Sequence, residues 1–245
     1  MPPRSILESV RRRGPDSGGV QWRSARESIT AMPMLSIRVI SDVICPWCFI
    51  GKRRLERALG MLPDGIETEI CWTPFQLNPG MPPEGIARKQ YRTAKFGSWE
   101  RSRQLDLQVA LAGSGEGIEF AFARMERTPN TFQAHRLIRL ARLEGVEHAV
   151  VEGLFQRYFI EAENVGDPEV LTSVANAAGI EAARARRFLD SEDGAAEVRA
   201  EEEEARRLGV SGVPFFVVGD RYRIEGAQPA EVLVETLLRA SQNFP

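Results

Sequence analysis

Cys45-Pro46-Trp47-Cys48 stands between a stretch that alternates like a strand and a stretch that repeats like a helix. That context constrains the fold more than any other feature of the chain. Upstream, Ser36-Ile37-Arg38-Val39-Ile40-Ser41 alternates and is rich in β-branched residues. Downstream, residues 46–61 read as a helix, with Pro46 suited to its first turn and Leu55, Ala58, Leu59 and Leu62 among its apolar positions. Pro63-Asp64-Gly65 stops it. Glu67 to Trp72 then alternates again, with Ile66, Thr68, Ile70 and Trp72 on one face and Cys71 on the other. Strand, helix, strand in this order makes a right-handed βαβ unit.

The proline-rich stretch from Thr73 to Gly85 is expected to end the sheet pattern, and helical patterning follows. Candidate helices fall at 86–95, 99–112, 130–144, 147–159, 167–178, 181–189 and 193–208. Gly113 to Gly117 is a flexible break between two of them. Val213 to Val218 returns to a short apolar strand, Gly219-Asp220 is a hairpin turn, and Arg221 to Gly226 is the partner strand. Pro229 opens a last helix through Leu233, Leu237 and Leu238. The pattern predicts an α/β fold whose sheet is interrupted by a large all-helical insertion, giving two structural units. Residues 35–78 and 209–243 form the sheet unit in two segments. Residues 79–208 form the insertion, with its last helix free to belong there or to return to the sheet. Residues 1–33 carry Arg11-Arg12-Arg13 and other arginines without an apolar core. They read as a tail, or as an upstream extension before a start at Met32 or Met34.

Composition limits the function classes. The chain has 245 residues, 43% hydrophobic and 27% charged, which is a globular balance. Its 32 basic and 34 acidic side chains give no basic field for nucleic acid or an anionic membrane. No apolar run is long enough to span a bilayer. Three cysteines do not make a disulfide framework. With no secretory signal in view, the expected compartment is the reducing cytosol.

At a helix start Cys45 meets unpaired backbone N–H groups and the positive end of the helix dipole, both of which favour thiolate over thiol. Cys48 lies three residues on, along the same helix face, where it can attack a mixed disulfide on Cys45. The spacing suits an exposed nucleophile with a resolving thiol behind it. Two other readings stand beside this one: a metal half-site, or two inert buried thiols. A structural zinc site needs about four ligands, and only Cys71, His135 and His148 remain as soft donors; no metal is expected. Val213-Pro214 opens a strand, where a proline is tolerated. The bond is either an ordinary trans one or a cis one, which would leave the Val213 backbone free to pair with an extended peptide.

Taken together, Asp42-Val43-Ile44-Cys45-Pro46-Trp47-Cys48, Pro129-Asn130-Thr131 with Ala134-His135-Arg136, Leu208 to Pro214, and Gly226-Ala227-Gln228-Pro229 resemble the DsbA-like thioredoxin-fold family, most closely its FrnE-type branch. The resemblance spans residues 35 to 243. It implies a thioredoxin-like fold and thiol–disulfide exchange by Cys45 and Cys48 with protein or small-molecule thiols and disulfides. It implies no tightly bound cofactor, with glutathione as a candidate co-substrate. It further implies that Pro214 is cis and faces Cys45, and that Asn130 and His135 lie near the cleft, so that Pro46, Trp47, Val213, Pro214, Asn130 and His135 bind substrate. The same branch holds 2-hydroxychromene-2-carboxylate isomerase and kappa-class glutathione transferases. These generally carry serine in place of Cys45 and bind glutathione. A glutathione-dependent isomerase or transferase is therefore the alternative function. A redox-responsive binding module using an apolar surface near Trp47 is a third.

The remaining residues keep two readings each. Asp42 either tunes Cys45 or caps a turn; His135 either moves protons near Cys45 or is packed. Asn130 either contacts substrate or caps its helix. Trp47 forms a docking surface or packs in the core. Cys71 reads as a buried small hydrophobe, and Glu201-Glu202-Glu203-Glu204 as a solvated helix face.

Overall fold

The alternation in Leu35–Ser41 becomes strand β1, which sends its side chains into two different cores. Leu35, Ile37 and Val39 enter one, and Ile40 enters the other. The computed structural model describes residues 34–242; the tail expected over 1–33 lies outside them. Helix α1 (Pro46–Leu59) follows, with its proline in the first turn. Strand β2 (Thr68–Pro74) returns parallel to β1, with Ile37 opposite Ile70. It runs on to Pro74, two residues beyond the expected end. β2 is an edge strand, where a proline costs no ladder bond.

The middle of the chain comprises β3 (Ile86–Ala87), α2 (Arg88–Phe96), α3 (Trp99–Ser114), β4 (Arg127–Thr128), α4 (Phe132–Leu143), α5 (Glu147–Phe155), α6 (Pro168–Ala177), α7 (Ala182–Asp190) and α8 (Ala195–Arg207). Two features differ from the expected helices. Ile86 and Ala87 pair with Thr128 and Arg127 as a two-residue ladder, so α2 begins two residues late. Gly85 makes this pairing fit: its φ is +71°, and a Cβ there would stand 2.5 Å from the Thr128 carbonyl oxygen. The helix expected over 147–159 also changes pitch. Gln156–Ile160 is a π-helical turn closed by Glu161 N–H donating to the Gln156 carbonyl at 3.0 Å.

Strands β5 (Phe215–Val218) and β6 (Tyr222–Glu225) and helix α9 (Ala230–Gln242) complete the fold. The sheet order is β2-β1-β5-β6, with β5 antiparallel to both neighbours. Helices α1 and α9 pack together on the face carrying Ile37, Val39, Phe216 and Val218. The opposite face carries Ile40, Phe215 and Val217 and is closed by Ala205 of α8 with Val210 and Phe75. Helix α8 thus lies back against the sheet, on β2.

The sheet and the helical insertion do not form the two separate units expected. The described residues make one compact unit. The reason is aromatic: Phe49 of α1 is 1% exposed, stacks on Phe155 at 5.1 Å and meets Phe120 edge-on at 6.2 Å. A side chain of the sheet unit is thus a core residue of the insertion.

Candidate active site

Asp42 sets the geometry from which the site grows. Its side chain is fully buried at the end of β1, and its carboxylate accepts the Leu77 N–H at 2.8 Å and the Ile44 N–H at 3.4 Å. The carboxylate therefore ties the β1–α1 loop to the loop leaving β2. The Asp42 carbonyl accepts the Cys45 N–H at 3.0 Å. Cys45 is the N-cap of α1 in extended conformation, and its own carbonyl receives the N–H groups of Cys48 at 3.0 Å and Phe49 at 3.4 Å.

The Cys45 thiol donates to the Val213 carbonyl at 3.4 Å. The Val213–Pro214 bond is cis. Gly51 of α1 permits this approach: a Cβ there would meet Pro214 Cγ at 2.9 Å. Two distant segments therefore converge at one sulfur. Trp47 is 39% exposed beside it and stands on the cavity wall, so it belongs to the surface and not the core.

Cys45 itself departs from the expected exposed nucleophile. It is 5% exposed, and Cys48 is 1% exposed. The sulfur is covered by the Val213 backbone and by the helical insertion opposite, so it opens into a cavity of about 310 Å³. Val109, Phe122, Met125 and Phe159 make much of its apolar wall. The π-helical turn supplies Tyr158 as well as Phe159, both buried. Burial holds the Tyr158 phenol well above its ordinary range.

Sequence reasoning missed the charged side of this cavity. Arg88, Arg92 and Lys95 come from α2 and Asp106 from α3. Arg88 and Arg92 donate to the two oxygens of Asp106 at 2.9 and 2.7 Å, and Lys95 donates to the Tyr91 hydroxyl at 2.8 Å. The available signal was positional: residues 88, 92 and 95 share one face of a helix.

Asn130 and His135 do not join the cavity of Cys45. The Asn130 side chain donates to the Met81 carbonyl at 2.6 Å and accepts the Phe132 N–H at 2.9 Å, tying the start of α4 to the proline-rich loop. His135 is 3% exposed and lies behind the sheet end, its Nε2 3.6 Å from Asp42 Oδ1 and without a hydrogen bond. Both occupy positions set by α4, whose packing no local pattern reveals. Cys71 is half-buried on β2, away from the site, with its thiol pushed up by burial. The acidic run is a solvated face at Glu203 and Glu204 but not at Glu202. Glu202 is 7% exposed and accepts the Gln76 N–H at 2.8 Å, because α8 is pressed against the sheet edge.

The two active-site thiols are unequal. The Cys48 thiol is pushed well above the ordinary thiol range, by burial first and then by its hydrogen bond to Cys45 and the charge there. Cys48 therefore stays protonated at neutral pH.

Residues 36–238 match the family model of the DSBA-like thioredoxin domain. A crystal structure described as a probable DsbA oxidoreductase from Streptomyces coelicolor is 35% identical, covers 85% of this chain and 91% of its own, and superposes with a TM-score of 0.79. Uncharacterized protein YwbO of Bacillus subtilis is 28% identical over 206 residues, which are 82% of this chain and 94% of its own. The structure of 2-hydroxychromene-2-carboxylate isomerase is 15% identical, covers 83% of this chain and 95% of its own, and gives a TM-score of 0.64, a likeness of fold.

Proposed function

The chain belongs to the DSBA-like thioredoxin domain family, and on that premise we propose that it is a thiol–disulfide oxidoreductase working through Cys45 and Cys48. The observation that carries the reading is the meeting of Cys45, at the start of α1, with Val213-Pro214 at 3.4 Å, above a protonated Cys48. The Cys45 thiolate attacks one sulfur of a substrate disulfide; a bond forms between them and the other substrate sulfur leaves as thiolate. Cys48 then gives up its proton and attacks the Cys45 sulfur. The intramolecular disulfide forms, and the second substrate thiol leaves with a proton. Run in reverse, the same steps oxidise a dithiol. Pro46, Trp47, Val213 and Pro214 border the reacting sulfur and position the partner, which is a protein or small-molecule thiol. The compartment proposed is the reducing cytosol, where a chain of similar fold, DsbM of Pseudomonas aeruginosa, is described as a disulfide reductase.

A second reading is a glutathione-dependent isomerase or transferase. The enclosed cavity and the fold shared with the isomerase favour it. One pair of variants separates the two. Under the oxidoreductase reading, Cys45→Ser abolishes insulin reduction, and Cys48→Ala retains the first attack but accumulates a mixed disulfide on Cys45. Full activity in Cys45→Ser overturns both steps of the exchange. Turnover unaffected by Cys48→Ala moves the assignment to the isomerase class, since isomerisation needs no resolving thiol.

A further inference from the structure

We propose that Cys45 and Cys48 also reduce small organic hydroperoxides, Cys45 taking the terminal oxygen and Cys48 closing the disulfide. The inference goes beyond thiol exchange and shares with it the same pair of sulfurs. The Cys45 thiolate attacks the terminal oxygen of R–O–OH. A sulfur–oxygen bond forms, the O–O bond breaks, and the alkoxide leaves and takes up a proton as alcohol. The Cys48 thiol then attacks the sulfur of the Cys45 sulfenic acid; the S–S bond forms, and hydroxide leaves with the Cys48 proton as water. Two electrons pass from the two thiols to one peroxide, giving one alcohol and one water. Two equivalents of a small thiol return the disulfide to the dithiol by the exchange proposed above.

Shape is the first observation. Cys45 is 5% exposed, with the Val213 carbonyl on its sulfur at 3.4 Å and a cavity of about 310 Å³ as its opening. Displacement at oxygen or at sulfur needs the attacking, attacked and leaving atoms in line. The attacked sulfur of a disulfide carries a carbon chain that must lie beside Cys45, against that carbonyl. The terminal oxygen of a hydroperoxide carries a hydrogen alone, and its alkyl group lies beyond the leaving oxygen, in the cavity. Val109, Phe122 and Met125 offer that group an apolar wall. Cys48 is 1% exposed, within the first turn of α1, so peroxide meets Cys45 and the resolving thiol is spared.

The leaving oxygen supplies the second observation. Its negative charge grows as the O–O bond breaks, and the cavity holds N–H donors for it. Arg88 and Arg92 share the two oxygens of Asp106 at 2.9 and 2.7 Å. Arg92 also donates to Ser102, and Arg88 sits over the Phe122 ring at 5.4 Å. Asp106 balances one of the two charges, so the cluster keeps a net positive charge. Each guanidinium carries five N–H groups, more than these partners use. The donors are thus fixed before reaction in a largely apolar enclosure, where one such donor is worth about a hundredfold in rate.

The test times oxidation of the reduced protein by cumene hydroperoxide, tert-butyl hydroperoxide and hydrogen peroxide. Each rate is divided by that of mercaptoethanol under the same conditions, to remove intrinsic reactivity. The inference expects the two organic peroxides to exceed mercaptoethanol by about a hundredfold. Hydrogen peroxide, with no apolar group to bury, should gain about tenfold less. One disulfide forms per peroxide consumed, and dimedone labels Cys45 as sulfenic acid in Cys48→Ala. Arg92→Met should lower the ratio of the cumene hydroperoxide rate to the hydroxyethyl disulfide rate by about tenfold or more, and Arg92→Lys should restore part of it. The rates of the unsubstituted protein decide the matter where an Arg92 variant does not fold. Rates no faster than mercaptoethanol, a preference for hydrogen peroxide, or a ratio untouched in folded Arg92→Met would each overturn the inference, while insulin reduction by the same preparation leaves the exchange chemistry standing. Loss of both reactions would overturn the exchange chemistry, and this inference with it.

Discussion

Replacing Gly51 by alanine tests how α1 and the Val213-Pro214 segment are held together. Gly51 lies inside α1, where glycine-to-alanine ordinarily stabilises by about 1 kcal/mol through helix propensity. Here the added methyl would stand 2.9 Å from Pro214 Cγ and 3.3 Å from Phe216 Cζ. The pyrrolidine ring is bound to its own backbone at both ends and has no rotamer to escape into, and Phe216 is fully buried. Overpacking of this kind costs about 1–3 kcal/mol. The steric cost exceeds the propensity gain, so the net expectation is a loss of about 1 kcal/mol. For a chain of this size that lowers the melting temperature by about 2–4 °C. The strain is relieved by moving Pro214, which carries the Val213 carbonyl away from Cys45, so the reaction of Cys45 with a small disulfide slows as well. Thermal unfolding and stopped-flow thiol exchange on the same preparation read both effects. A rise in melting temperature with unchanged Cys45 kinetics would refute the reasoning.

Further consequences follow from the same structure. Because the Cys48 thiol is held above its ordinary range, resolution of a mixed disulfide on Cys45 should accelerate about tenfold per pH unit from about pH 6 to 9, and a flat profile would contradict the assignment. Phe49→Ala should cost about 3–5 kcal/mol in denaturant unfolding, since the ring is shared between the sheet and the insertion. A loss under about 1 kcal/mol would show that the two parts do not share a core. Burial opposes the charge of Glu152, but hydrogen bonds from Arg53 and Lys52 outweigh it and hold the carboxyl at about 2 against an ordinary 4.5. Its folded value is the lower one, so its stabilisation is present above pH 4.5 and is lost as pH falls towards 2. Glu152→Gln should flatten that acid limb and, by leaving buried Lys52 with one partner fewer, lower stability at neutral pH; an unchanged acid limb in thermal melts would count against this.

The parts of the fold legible in the sequence are those with local causes. β1, α1 and β2 carry periodicity and stop signals, and the β5–β6 hairpin carries its turn. The two-residue β3–β4 ladder has no period to read, and its pairing rests on Gly85 meeting Thr128 across forty residues of chain. The π-helical turn was invisible because Tyr158 and Phe159 fit a helix pattern as well. At the site, Cys45 and Cys48 carry a local signal at a helix start, whereas the meeting of Cys45 with Pro214 was implied only by the family resemblance. The burial of Cys45, the removal of Asn130 and His135 from the cavity and the cations of α2 all depend on how the insertion folds over the sheet. Periodicity tells which face of a helix is apolar and is silent on what that face meets.

The central claim is that Cys45 and Cys48 interconvert as one two-electron pair. Equilibration in glutathione buffers of graded potential, followed by alkylation and mass measurement of the intact chain, tests it directly. The account predicts a single transition between a species with both thiols alkylated and a species with a Cys45–Cys48 bond and neither alkylated. A chain that instead accumulates glutathione on Cys45 with Cys48 still alkylatable, and never closes the internal bond, would contradict it.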